Sequence, residues 1–125
     1  MKNDISNRID IQVLIDAFYE DVQKDELLGF IFKDVAKVNW KTHLPVMYDF
    51  WENVLFHTGR YDGNPLQTHL HLNKMTRLTS LQFDRWLKIF VNNVDAIFEG
   101  QNAEAIKMKA KSIATVMQIK LKIHE

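Results

Sequence analysis

Apolar residues recur at the helical period in four stretches of the chain, separated by polar connections. In the first, Ile11, Leu14, Ile15, Phe18 and Val22 follow i, i+3, i+4, i+7 and i+11, the spacing that turns one helix face toward a core. Asp10 is suited to cap its start, and Tyr19 lies beside the stripe. The second stretch, about 39–57, aligns His43, Met47, Phe50, Trp51 and Val54. Pro45 fits a helix only near its beginning. The pattern therefore predicts either a regular helix from about Thr42 or a kink at Pro45. The third, about 81–99, carries Phe83, Trp86, Leu87, Phe90, Val94, Ile97 and Phe98, with Thr79 and Gln82 at capping-box spacing and Gly100 as a stop. The fourth, about 103–122, turns Ile106, Ala110, Ile113, Ala114, Met117 and Leu121 inward.

Two connections remain. "KDELLGFIFKDVAKV" is mixed and predicts short helical turns. Thr58–Ser80 has no sustained period, and an unstructured connection of that length inside a compact domain is usually functional. His69 to Leu72 alternate briefly, too briefly for a strand. The reading is all-α: four principal helices in a single domain spanning residues 1–125.

Composition narrows what such a domain does. The chain has no cysteine, which excludes disulfides, zinc-thiolate sites, iron–sulfur clusters and thiol catalysis. No stretch of roughly 18 apolar residues suggests a membrane span, and the first residues do not read as a signal peptide. A cytoplasmic protein is the expectation. Sixteen basic and sixteen acidic side chains cancel, which argues against nucleic-acid binding by bulk charge. The lysines of "KMKAKS" fall opposite the apolar stripe and read as a solvated face. Eight Phe, three Tyr and three Trp against four Gly imply a bulky aromatic interior.

Polar tips sit on or beside three of the stripes: Tyr19, His43 and Trp86. Buried, they need partners. Either they satisfy one another, or they converge on a polar ligand in an apolar pocket. The histidines of the long connection offer a further wall. On a helix, His69 and His71 point about 200° apart and cannot share an ion. On a strand they could, but zinc needs further ligands, and no carboxylate lies nearby. No nucleophile motif, phosphate loop or dinucleotide fingerprint is present.

"FYEDVQKDELLGFIF", "NWKTHLPVMYDFWENVLFHTGRYDGNPLQTHLHL" and "FDRWLKIFVNNVDAIFEG", in that order and spacing, resemble the group III truncated hemoglobins over roughly residues 10–118. The resemblance implies a shortened globin, a two-over-two helical sandwich around heme b (iron protoporphyrin IX). It implies His69, four residues after Pro65, as the iron ligand, with His71 in a variable position. Tyr19 matches the distal tyrosine, His43 in "WKTH" the distal histidine, Met47 the apolar residue above the iron, and Trp86 in "FDRWL" the distal tryptophan. Phe32 matches the phenylalanine at the porphyrin edge, and Phe50 and Trp51 join the heme-binding set. Phe30 stands where many members have proline. Arg60, Tyr61, Lys74 and Arg77 are the candidates for the propionates.

Neutral imidazole suits ferrous heme, and its second ring N–H is free for an orienting carbonyl. A dioxygen ligand carries partial negative charge on its outer atom. Donors at Tyr19 and Trp86 would each stabilise it by about 1–2 kcal/mol. That favours retention, sensing or redox chemistry with nitric oxide or peroxide over oxygen delivery. The redox version requires an external reductase partner. A monomer or weak homodimer is expected. The alternatives are a heme-free helical interaction or sensor module, in which the His–Tyr–Trp set is internally bonded, and a zinc site at His69 and His71.

Overall fold

A computed structural model describes residues 1–61 and 63–123. Among the described residues, five helices and one π-helical turn follow one another: α1 (Arg8–Lys24), the turn Ile31–Val35, α2 (Trp40–Phe56), α3 (Pro65–Met75), α4 (Ser80–Ile97) and α5 (Gln101–Lys120). No helix among the described residues is long and apolar enough to cross a membrane.

The helix starts follow from local hydrogen bonding. Asn7, not Asp10, caps α1, taking the Asp10 N–H at 3.0 Å. Asp10 returns the favour to the Ser6 N–H at 2.8 Å, so two orphan donors are satisfied reciprocally. The helix starts a turn earlier than Asp10 implied. Asn39 caps α2, and the helix is regular from Trp40, two residues ahead of Thr42. Pro45 sits in its second turn, where the exposed Lys41 carbonyl can turn to water instead of the missing N–H. The expected capping box opens α4, with Gln82 N–H on Thr79 Oγ1 at 3.2 Å and Thr79 N–H on Gln82 Oε1 at 3.0 Å.

Gly100 has a different role from the one expected. Helix α4 ends at Ile97, and Gly100, with φ +146°, is the cap of α5. A Cβ at this position would lie 2.4 Å from Asp4 Cγ. The Asp4 carboxylate occupies that space and accepts the N–H groups of Asn102 and Ala103, both at 2.9 Å. The chain's first residues thereby close the free end of α5.

The long connection is the largest correction. Residues 65–75 form helix α3, with Asn64 accepting from Gln67 N–H at 3.1 Å and Pro65 in the first turn. Proline suits this position, since its missing N–H would have no partner there. The apolar period failed to reveal α3 because the helix buries none of its residues.

Helices α1 and α2 pack as one pair and α4 and α5 as another, with α1 laid on α4 and α2 on α5. This is the two-over-two sandwich. The α1 stripe forms its centre: Ile11, Leu14, Ile15, Phe18 and Val22 are wholly buried. Phe90 and Val94 of α4 and Ile106 and Ala110 of α5 meet it. Polar fasteners tie the helices at their edges. Arg8 bridges Asp49 at 2.7 Å and the buried Glu52 at 2.8 Å, and Asn93 donates to Asp21 at 2.9 Å. Tyr48 donates to Asp16, and burial together with that carboxylate pushes its phenol up to about 12.

Candidate functional site

Between the layers lies a cleft of about 1200 Å³ counting its open mouth. Tyr19 of α1, Phe32 of the π-helical turn, His43, Met47, Phe50 and Trp51 of α2, His69 of α3 and Trp86 of α4 all line it. One cavity thus gathers residues from five elements and 68 positions of sequence, from Tyr19 to Trp86.

Its floor is aromatic. Trp51 stacks on Phe90 with centroids 4.5 Å apart, and Phe90 in turn stacks on Trp86 at 5.8 Å. Phe18 presents edges to Phe90 at 5.2 Å and Trp86 at 5.9 Å. Offset and edge contacts of this kind are favoured by the ring quadrupoles. They hold the Trp86 indole by its faces.

A second aromatic group carries the polar tips. Tyr19 meets His43 edge to face at 5.4 Å. Trp40 packs behind both, at 5.2 Å from Tyr19 and 5.6 Å from His43, and stacks on Phe32 at 5.8 Å. Burial pushes the Tyr19 phenol up, so it stays a protonated donor. Burial also pushes His43 down, toward the neutral ring. His43 Nε2 is buried and has no hydrogen-bond partner. A buried polar atom left unpaired costs free energy, so the protein alone does not satisfy this residue. The internally bonded set expected of a heme-free module is not formed at His43.

His69 is differently held. Its Nδ1 lies 2.7 Å from the Pro65 carbonyl one turn earlier. A carbonyl only accepts, so Nδ1 carries the proton, and in the neutral ring Nε2 is the atom with the lone pair. That is the ring state a metal ligand needs, with the orienting partner such ligands commonly have. On helix α3 the neighbouring His71 is exposed and takes no part in the cavity. No three His, Asp or Glu side chains among the described residues gather as a metal site, which leaves the zinc alternative without a ligand set.

Other candidates separate. Tyr61 lines the cleft, whereas Arg60, Lys74 and Arg77 do not. The Arg60 guanidinium is turned to Glu52, 3.0 Å away. His57 caps the end of α2 with a left-handed backbone, and His124 lies outside the described residues. The sequence reading missed Trp40 as a backing residue, although it stood in the quoted "WKTH". It also took Ile113, Ala114 and Met117 for core alone, whereas they form the α5 side of the cleft.

An aromatic-lined apolar cleft, an imidazole among its lining held at Nδ1 and an unpaired buried imidazole suit a planar hydrophobic group bearing a metal. The residues fit heme. Fold and cleft together define a globin of the shortened, two-over-two kind. The comparisons agree. The Group 3 truncated hemoglobin ctb of Campylobacter jejuni is 32% identical over 121 residues, covering 94% of this chain and 93% of that protein. The crystal structure of group III truncated hemoglobin from the same organism superposes with a TM-score of 0.85 at 31% identity, covering 97% of this chain and 95% of that one. No family model matches. The chain belongs to the group III truncated hemoglobins. With membership comes the coarse reading of a heme protein for diatomic gases.

Proposed function

We propose that this protein holds heme b through His69 and retains a diatomic ligand (dioxygen, nitric oxide or carbon monoxide) beneath Tyr19, Trp86 and His43. The observation that carries the reading is the bond between His69 Nδ1 and the Pro65 carbonyl in a residue that lines the cleft, which leaves the other ring nitrogen out of that bond and available to a metal.

When bound, the heme iron supplies reversible coordination of the gas and one-electron chemistry. The protein supplies the rest. His69 would hold the iron from a ring whose rotation the Pro65 carbonyl restrains. Phe32, Met47, Phe50 and Trp51 give apolar contact and exclude water. The Tyr19 hydroxyl and the Trp86 indole N–H are donors for a ligand with partial negative charge. Each is worth about 1–2 kcal/mol when aligned, so together they slow release by roughly one and a half to three powers of ten. His43, neutral and unpaired, is a third polar group able to turn to the ligand. Slow release is unsuited to delivery and suits retention, sensing, or redox chemistry with nitric oxide or peroxide. The redox version draws electrons from a separate reductase.

Absorption in the Soret region tests the ligand assignment. The purified protein is expected to be red, His71→Ala is expected to keep the band, and His69→Ala is expected to lose it. A band equally strong in His69→Ala would remove the reading.

A further inference from the structure

We infer that Tyr61 and Gly63 are positioning residues for His69. The Tyr61 ring, lying in the space that a side chain at 63 would fill and braced on Phe50, sets the start of α3. It thereby sets the carbonyl that holds the imidazole.

Helix α3 needs such a device. None of its residues is buried, and it packs chiefly against α5. Its own packing therefore does little to fix where His69 sits, and the burden falls on the segment that leads into it. That segment is pinned at both ends. At its start, the Gly59 N–H donates to Asn53 Oδ1 at 2.7 Å and Arg60 pairs with Glu52 at 3.0 Å. At its end, the Tyr61 ring meets Phe50 of α2 edge-on, with centroids 5.0 Å apart and planes at 83°.

Gly63 makes the second brace. A Cβ built there would lie 2.5 Å from Tyr61 Oη, 2.6 Å from Cζ and 2.9 Å from Cε1. Gly63 is not among the residues with positive φ. The glycine therefore serves a close approach, with the ring pressed on the backbone, and no left-handed turn is involved. Asn64 follows as the cap and Pro65 as the first helical residue. The φ of Pro65 is fixed by its ring, so the placement of 63 and 64 passes to the Pro65 carbonyl with little slack. That carbonyl holds His69 Nδ1 at 2.7 Å. Tyr61, Gly63, Asn64 and Pro65 thus act together as ring, seat, cap and carbonyl.

The inference rests on His69 being the heme ligand, and two measurements keep the two ideas apart. The first is the imidazole nitrogen-15 spectrum of His69 in the full chain without heme, which reports the ring tautomer. The second is the iron–imidazole stretching band in the Raman spectrum of the ferrous, heme-loaded chain. Wild type is expected to show the Nδ1-protonated ring. Gly63→Ala is expected to move the ring toward an Nε2-protonated mixture, a change of about tenfold in the tautomer ratio, and to shift the Raman band. Tyr61→Leu is expected to do the same, and in that background Gly63→Ala is expected to have little further effect. Tyr61→Leu carries the test alone if Gly63→Ala does not fold. An unchanged His69 tautomer in the folded variants would overturn the inference. So would an effect of Gly63→Ala as large without the Tyr61 ring as with it. A Raman band that survives His69→Ala, beside a tautomer that moves as expected, would overturn the ligand assignment and leave the seat standing.

Discussion

The rings of Tyr19 and His43 meet edge to face at 5.4 Å, and His43 Nε2 still has no hydrogen-bond partner. Two polar side chains from different helices are brought together, and one of them, His43, is left incompletely satisfied. Such an arrangement is costly in an isolated protein and useful in one that receives a polar ligand. The donors are expected to act on release. Tyr19→Phe and Trp86→Phe should each speed dioxygen dissociation by roughly tenfold, read by stopped-flow absorbance. Unchanged rates in both would show that neither side chain holds the ligand.

His43 should also make stability depend on pH. Burial lowers its folded pKa, so below the unfolded value of about 6.5 the unfolded chain binds the proton more readily. Stability is full above that pH and falls as the pH drops through it toward the folded value. His43→Leu should flatten this limb of the curve. Urea midpoints of wild type and variant, compared between pH 7.5 and 5 (about the range in which histidine titrates), measure it. Parallel curves would contradict the assignment.

The Asp4 cap should titrate in acid. Burial pushes its carboxyl up, but the backbone N–H groups of Asn102, Ala103 and Ile5 outweigh burial and lower it overall. Its contribution is present above the unfolded value of about 3.9 and is lost as pH falls through the lower folded value. At neutral pH, Asp4→Ala removes a cap and should cost about 1 kcal/mol. Gly100→Ala should cost at least as much, since its Cβ would fall 2.4 Å from Asp4 Cγ at a φ that disfavours side chains. Thermal melts of the variants check both. Asp4→Ala as stable as wild type at neutral pH would show that the contact is incidental.

Glu52 joins Arg8 of α1 to Arg60 of the segment before α3. Its carboxylate is buried, but both arginines are partly exposed, so Glu52→Gln should cost less than a fully buried pair, about 1–2 kcal/mol. Amide exchange around residues 57–61 should quicken more than exchange in the centre of α1. Uniform quickening across the chain would mean that Glu52 supports only the global fold.

In the interior, Phe90 joins Phe18, Trp51 and Trp86. Phe90→Ala should lower stability by about 3–5 kcal/mol and loosen the indole at 86, so that dioxygen release quickens as well. Denaturant unfolding and stopped-flow kinetics on the same preparation separate the two effects.

The sequence by itself determined the four helices whose apolar stripe packs on the core, because packing imposes a period and α1, α2, α4 and α5 each obey it. It also marked Tyr19, His43, Trp86 and His69 through a family pattern, and Thr79 with Gln82 through capping chemistry. It could not reveal α3. That helix is held by a cap, a proline and contacts from outside, and it leaves no apolar period to read. Nor could it show that Asp4 closes α5 from 98 residues away, at the Asn102 N–H, or that Arg60 is taken by Glu52. Only the tertiary structure shows that His69 lines the cleft while His71 is exposed. Once 65–75 is a helix the two rings diverge, and the one that finds a carbonyl one turn back is the one lining the cleft. Periodicity is a local property of the chain, whereas the pairing of a carbonyl, a ring and a cavity wall depends on how distant segments pack.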